Sequence, residues 1–459
     1  MFRLFKKRIA AYDPAEFEIR KEVLTAYRGM GPTASIPDGV REIADGAFSN
    51  HSELQGVLLP DSVQIIGSRA FFQCSGLEEI RLPKGELVIG ESAFWGCKSL
   101  RALDFRSDNT VFGSRAFVNC RNLRSVKVPE KMPEIPERAF WGCTALEEVK
   151  LPSKLTAISN EAFSECAHLR KIPLPSALES IGDKAFEKCV FLESINLPDR
   201  IETIGTFAFR GCTELSAVRF GGKIKAVGEG AFMNCRSLKR VELMADQVSI
   251  GRDAFALCTA LEEVKIPNAQ DPEDGAFRSC GALKTVEFPN NPERLGTRLF
   301  MNCVSLSCLW LDDYPAEIAP WAFLGCKNFI GFMVPRKQEK RAAAAGSRQI
   351  GEGAFMGCEN LNGIPFLDGV QTIERNSFAE CTGLKMVTIP GCVEKINGYA
   401  FAACRNLTLN AITVTTPGAV MKIEDCAFLG CGSLRAVIID QNVDPSPRAF
   451  PENCIVRRL

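Results

Sequence analysis

Phenylalanine marks a fixed interval along this chain. Phe48, Phe71, Phe94, Phe117, Phe140, Phe163, Phe186, Phe209, Phe232 and Phe255 are spaced by 23 residues, and the series continues at Phe277, Phe300, Phe323, Phe355, Phe378, Phe401, Phe428 and Phe450. Eighteen copies run through most of the 459 residues. A unit this short cannot bury its own apolar face. It becomes stable only by stacking on its neighbours, so the period predicts a solenoid rather than separate globular domains.

The other positions follow the same register. Ala precedes the Phe in all copies but two, where Leu299 and Ser377 stand instead. Cys follows three residues later from Cys74 to Cys431, with His51 in the first copy and Asn453 in the last. Leu comes three residues after the Cys, as at Leu77 and Leu100, and two apolar residues spaced by two come next, as at Ile80 and Leu82. An Ile-Gly pair precedes the Phe, as at Ile66-Gly67 and Ile204-Gly205. One unit reads I-G-x-x-A-F-x-x-C-x-x-L-x-x-I-x-L-P. Its last part alternates with period two and predicts a short strand. The A-F-x-x-C-x-x-L part spaces apolar residues by about one helical turn and predicts a short helical turn. Gly and Pro predict the corners between them. The predicted fold is an α/β repeat solenoid with a parallel sheet of short strands, and short helical turns and loops elsewhere.

The A-F-x-x-C signature on a 23-residue period resembles the BspA-type leucine-rich repeat. The resemblance runs from about Ile36 to the C-terminus. It implies a leucine-rich-repeat arc with its strands on the concave face. It also implies a non-catalytic scaffold for protein interaction or adhesion, of a kind often exposed on bacterial and protist surfaces. It supplies no catalytic residues.

Composition removes other classes. Lys plus Arg equals Asp plus Glu at 55 each, so no global basic field exists for nucleic acid. The only histidines are His51 and His168, which leaves little for His-based metal sites or Ser-His and Cys-His catalysis. Paired carboxylates such as Glu78-Glu79 and Glu147-Glu148 recur with the repeat on solvated strand edges. No enzyme and no cofactor are expected. The 20 cysteines include no C-x-x-C. One cysteine per coil, on strands about 4.8 Å apart, suits a parallel column of reduced, buried thiols better than disulfides. Cys308, Cys392, Cys426 and Cys454 lie off the motif, and Cys454, near the open end, is the candidate reactive thiol.

Residues 1–35 are expected to cap the first coil. A helix is one reading, from Asp13-Pro14 at its start; a hairpin is the favoured one, with Phe17 and Ile19 alternating against Val23, Thr25 and Tyr27. The array is expected over 36–459, with a C-terminal cap at 444–459. Two insertions break the period: a basic stretch at 336–348, expected to be a solvated loop, and four residues near Thr413 to Val420. Met1 to Arg8 is basic, but Ile9 to Glu18 offers no apolar core for a signal peptide, and no run of about 18 apolar residues spans a membrane. A cytoplasmic location is therefore expected, with the cell surface or secretion as the alternative.

A partner would meet the strand residues that point away from the core, eight and ten positions after each Phe. The ten-position series is charged at Lys127, Lys150, Arg219, Glu242, Lys265 and Glu287, then becomes apolar at Trp310, Met333 and Pro365; Met386 follows in the eight-position series. Trp310, Met333, Pro365 and Met386 are the expected partner-binding residues, for a protein ligand or for self-association. A second apolar row, Phe72, Trp95, Val118 and Trp141, is expected to pack on the convex side.

Overall fold

Each 23-residue coil contributes three stretches of backbone, and each stacks on its counterpart in the next coil. The computed structural model describes residues 13–243, 245–266, 270–288, 292–334, 348–412 and 420–459. They belong to two compact units, Met1–Ile224 and Lys225–Leu459.

The L-x-x-I-x-L segments form the first column. In Glu148–Lys150 the ends are exposed and Val149 is buried, as period two requires. Neighbouring strands pair in parallel one repeat apart, Val126 with Val149 and Ser125 with Glu148. In the second unit, Arg240–Glu242, Glu263–Lys265, Thr285–Glu287, Cys308–Trp310 and Gly331–Met333 make one five-stranded parallel sheet.

The Ile-Gly segments, read above as corners, form a second column of parallel strands. Most are two residues long: Ala157–Ile158, Ser180–Ile181 and Thr203–Ile204 pair in turn, with each Ile buried. The glycine is there because the next backbone is too near for a side chain. A Cβ on Gly205 would lie 2.5 Å from the carbonyl carbon of Gly182 and 2.6 Å from the amide of Asp183.

The A-F-x-x-C segments make the third side, and here the expected helical turns do not form. Among the described residues there is no α-helix, only 3-10 turns at Pro14–Glu16 and Pro365–Leu367. The physical reason lies in the hydrogen bonds. Arg69, Phe71 and Gln73 donate to Glu91, Ala93 and Trp95 of the next coil at 2.7 to 2.9 Å, while Ala70, Phe72 and Cys74 donate three residues back within their own. An α-helix would consume all these N–H groups internally. Alternation requires left-handed residues, found two before and two after the Phe: Arg69 at φ 55° and Gln73 at φ 59°.

The Phe rings fill the centre as stacked columns. Centroids are 4.8 to 5.6 Å apart from Phe48 to Phe209 and 5.1 to 5.9 Å apart from Phe232 to Phe450. Beside them, within each unit, runs a thiol column in which a motif Cys Sγ donates to the Phe carbonyl of the preceding coil, as Cys97 does to Phe71 and Cys258 to Phe232, each at 3.2 Å. No disulfide links the described cysteines.

Before the first repeat, Asp13 caps only the short Pro14–Glu16 turn. Phe17–Arg20 and Val23–Tyr27 then pair as an antiparallel hairpin around Lys21 and Glu22, both at positive φ, the geometry that suits a tight hairpin. The second hairpin strand continues the Ile-Gly column by pairing in parallel with Glu42–Ile43. The Tyr27 ring stacks on Phe48 at 4.7 Å and so begins the ring column. At the other end, Ile455–Arg458 pairs in parallel with Ala436–Ile439. No described helix is long and apolar enough to cross a membrane.

Candidate functional site: the outer face of a five-stranded sheet

Strand registry decides which of the expected partner-binding residues meet. Trp310 and Met333 are direct partners in the parallel ladder, and Trp310 pairs on its other side with Glu287. Parallel partners project from the same face about 4.8 Å apart. Trp310 is 59% exposed, an unusual degree for an indole on a strand, and Met333 is half-buried. The position two residues earlier in these strands is small, Cys308 beside Gly331, so the Trp310–Met333 ridge stands over a low strip. A Cβ built on Gly331 would have nothing within 4 Å.

Beneath the ridge the core is aromatic. Phe329 packs 4.5 Å from Phe323, and Phe332 meets Phe366 edge-on at 5.2 Å. Flat rings in mutual contact make a stiff base for the exposed strands.

Pro365 and Met386 do not extend this patch. The coil after Phe355 has no strand eight to ten residues later; Pro365 begins the 3-10 turn Pro365–Leu367. Proline has no N–H for a ladder, and its fixed φ suits the first position of such a turn. The turn drives Phe366 into the core, where it lies 5.2 Å from Phe355. Met386, though 61% exposed, belongs to a separate sheet with Thr408–Ile412, Ala436–Ile439 and Ile455–Arg458. The expected four-residue patch is thus reduced to Trp310 and Met333 on one sheet.

The basic insertion expected at 336–348 lies outside the described residues except for Arg348, and the four-residue insertion is outside them through residue 419. Arg348 is no solvated loop residue. It opens the strand Arg348–Ile350 with its side chain only 6% exposed. Its guanidinium donates to the Asp368 carbonyl at 3.1 Å, lies 3.7 Å from Asp313 and sits 5.5 Å from the Tyr314 ring centre. A strand residue facing inward must satisfy its charge internally, and these three groups do so.

A second concavity interrupts the first column in the other unit. Between Glu148–Lys150 and Ser194–Asn196 the coil makes only one bridge, Glu148 to Lys171, because Pro173 cannot donate. The cleft, about 660 Å³, is lined by Glu148, Lys150, Lys171 and Glu193 among others. Much of its charge is already internal: Glu193 takes Arg170 at 3.2 Å and Lys171 at 3.7 Å. This break was signalled by Pro173 alone in an otherwise regular repeat.

The remaining candidates are structural. In the row after the motif Phe, Trp95 and Trp141 are half-buried and Val118 is fully covered. His51 tucks under Tyr27 and His168 bonds the Thr144 carbonyl at 2.7 Å. Burial raises the Cys454 thiol above its ordinary value, the opposite of what an activated nucleophile needs.

The repeats match the BspA type leucine-rich repeat region over residues 32–147, 133–262, 179–307, 248–345 and 339–455. A leucine-rich repeat protein from Bacteroides ovatus has a similar structure, at 21% identity and a TM-score of 0.50, over 95% of this chain and 94% of that one. A leucine rich cell surface protein from Faecalibacterium prausnitzii is similar at 23% identity and a TM-score of 0.44, over 82% of this chain and 94% of that one. No curated protein matches the sequence. With its 23-residue coils, its Phe and Cys columns and family matches spanning nearly all of its length, the chain belongs to the BspA-type leucine-rich repeat family.

Proposed function

We propose that this protein is a non-catalytic scaffold that binds another protein through the outer face of the sheet from Arg240 to Met333, with Trp310 as the anchor. The observation that carries this reading is the exposure of Trp310 on a strand in ladder register with Met333. Burying an indole of about 200 Å² at about 25 cal/mol per Å² gives about 5 kcal/mol before association costs. One such residue, with a methionine beside it, can dominate an interface. Membership of a leucine-rich-repeat family supports the reading, since stacked coils present extended surfaces that neighbouring repeats hold in place.

The test is side-by-side capture, from cell lysate and from extracellular matrix, with the parent chain, Trp310→Ala and Lys150→Ala. A specific partner should be kept by Lys150→Ala and lost by Trp310→Ala while the circular dichroism of all three stays the same. A partner that Trp310→Ala retains at parental affinity would remove this face from consideration.

A further inference from the structure

We propose that the Trp310 face takes a cationic segment of its partner, seating an arginine or lysine side chain between the indole of Trp310 and the carboxylate of Glu287. This rests on the reading of that face as a partner site and names the chemistry it selects.

Three observations converge. First, Glu287 and Trp310 are ladder partners, so a carboxylate and an indole face rise side by side from adjacent strands. Second, among the described residues no cation lies within ion-pair distance of that exposed carboxylate; Lys265, its other ladder partner, turns to Glu263 at 3.4 Å. The other charges on this sheet are mostly matched: Arg240 and Lys265 lie 2.9 and 3.4 Å from Glu263, and Lys284 lies 2.9 Å from Glu262. Lys239, just before the first strand, acts on Glu262. Four cations thus share two carboxylates, the charges of this sheet balance, and among the described outward strand positions the carboxylates outside those clusters are Glu242 and Glu287, of which Glu287 stands beside the indole. Third, the protein already builds this arrangement internally. Arg348 lies between the Tyr314 ring, at 5.5 Å, and the Asp313 carboxylate, at 3.7 Å.

The physics favours the same arrangement at the surface. An indole is the strongest aromatic acceptor for a cation, and an adjacent carboxylate adds charge complementarity that a neutral or acidic ligand cannot use. Met333, on the far side of Trp310 from Glu287, is placed for an apolar neighbour of that cation on the same segment. The low strip along Cys308 and Gly331 leaves room for an extended backbone beside the ridge.

The test uses the full chain and three fluorescein-labelled peptides of equal length, alternating Gly-Ser with Arg, with Glu or with Leu, read by fluorescence anisotropy across a salt series. The arginine peptide should bind, and the glutamate peptide should not. Glu287→Gln should weaken the arginine peptide about tenfold and flatten its salt dependence, and Trp310→Ala should weaken it at least as much. Trp310→Phe should recover part of the loss. If Glu287→Gln binds the arginine peptide as the parent does, or if Trp310→Ala does, the inference is overturned. If only the leucine peptide binds and needs Trp310, the partner face stands and its cationic selectivity fails. If no peptide binds and the captured partner ignores Trp310, both readings fall. Sedimentation covers the remaining occupant: self-association that both Glu287→Gln and Trp310→Ala abolish would put the cation on a second copy of this chain.

Discussion

The thiol of Cys97 donates to the carbonyl of Phe71, one coil back, at 3.2 Å, and that same carbonyl accepts the amide of Cys74 at 3.2 Å. One residue, the motif cysteine, thus ties its own coil to the one before it. The pattern explains why the position holds cysteine. A thiol is small and mostly apolar, yet it can satisfy a carbonyl that would otherwise be half-used in a dry interior.

Removing one such thiol should have a measurable local cost. Cys189 donates to Phe163 at 3.2 Å and is fully buried. Cys189→Ala should lower stability by about 1–2 kcal/mol, from a lost weak bond and a small void. Urea unfolding followed by circular dichroism gives the value, and no change would mean that neither the bond nor the volume of the thiol contributes.

The thiol column also predicts alkaline sensitivity. Burial pushes the thiols of Cys74, Cys258, Cys303 and Cys431 up to about 12. In the unfolded chain they titrate near the ordinary thiol value, so between about pH 9 and pH 12 the unfolded state holds fewer protons than the folded one. Stability is therefore fully present below that window and falls as pH rises through it. Unfolding midpoints measured from pH 7 to pH 11 should decline above about pH 9, and a flat profile would contradict buried thiols. At neutral pH the motif cysteines should resist a thiol reagent until the chain is denatured.

Phe140 stacks on Phe117 and on Phe163 at 5.4 Å each and is fully buried. Phe140→Ala should cost roughly 3–5 kcal/mol locally. Coils depend on their neighbours, so lost amide protection should centre on the adjacent coils and fade beyond them. Equal loss of hydrogen-exchange protection in every repeat would speak against a repeat-by-repeat core.

The two glycine environments give a matched comparison. A Cβ on Gly205 would meet the backbone of Gly182 and Asp183 at 2.5 to 2.6 Å, whereas one on Gly222 would meet nothing within 4 Å. Gly205→Ala should destabilise by about 1–3 kcal/mol or more, and Gly222→Ala should be close to neutral. Thermal melts of both variants, side by side, decide this.

Some of this architecture was legible in the residues and some was not, for physical reasons. The strand column was legible because Ile80, Val149 and their equivalents alternate with polar neighbours over a long enough stretch. The Ile-Gly column was not, because a two-residue strand such as Ser180–Ile181 carries no alternation to detect. The turn column was misread as helical because apolar spacing near one helical turn also arises in turns that bond to their neighbours. A signal was present two residues after the Phe, where Asn119, Gly142, Gly211 and Asn234 stand at positive φ, a conformation no helix uses. Pairing of Trp310 with Met333 followed from the period, but loss of Pro365 depended on a turn that only Phe366 entering the core explains.

The most direct test of the partner face is oxidative footprinting of the chain with and without its captured partner. Trp310 and Met333 both oxidise readily when exposed, and Met386, on another sheet, serves as the internal control. Partner binding should protect Trp310 and Met333 together, by about tenfold in oxidation rate, and leave Met386 unchanged. Trp310 oxidised at the same rate in the free and bound protein would contradict the account.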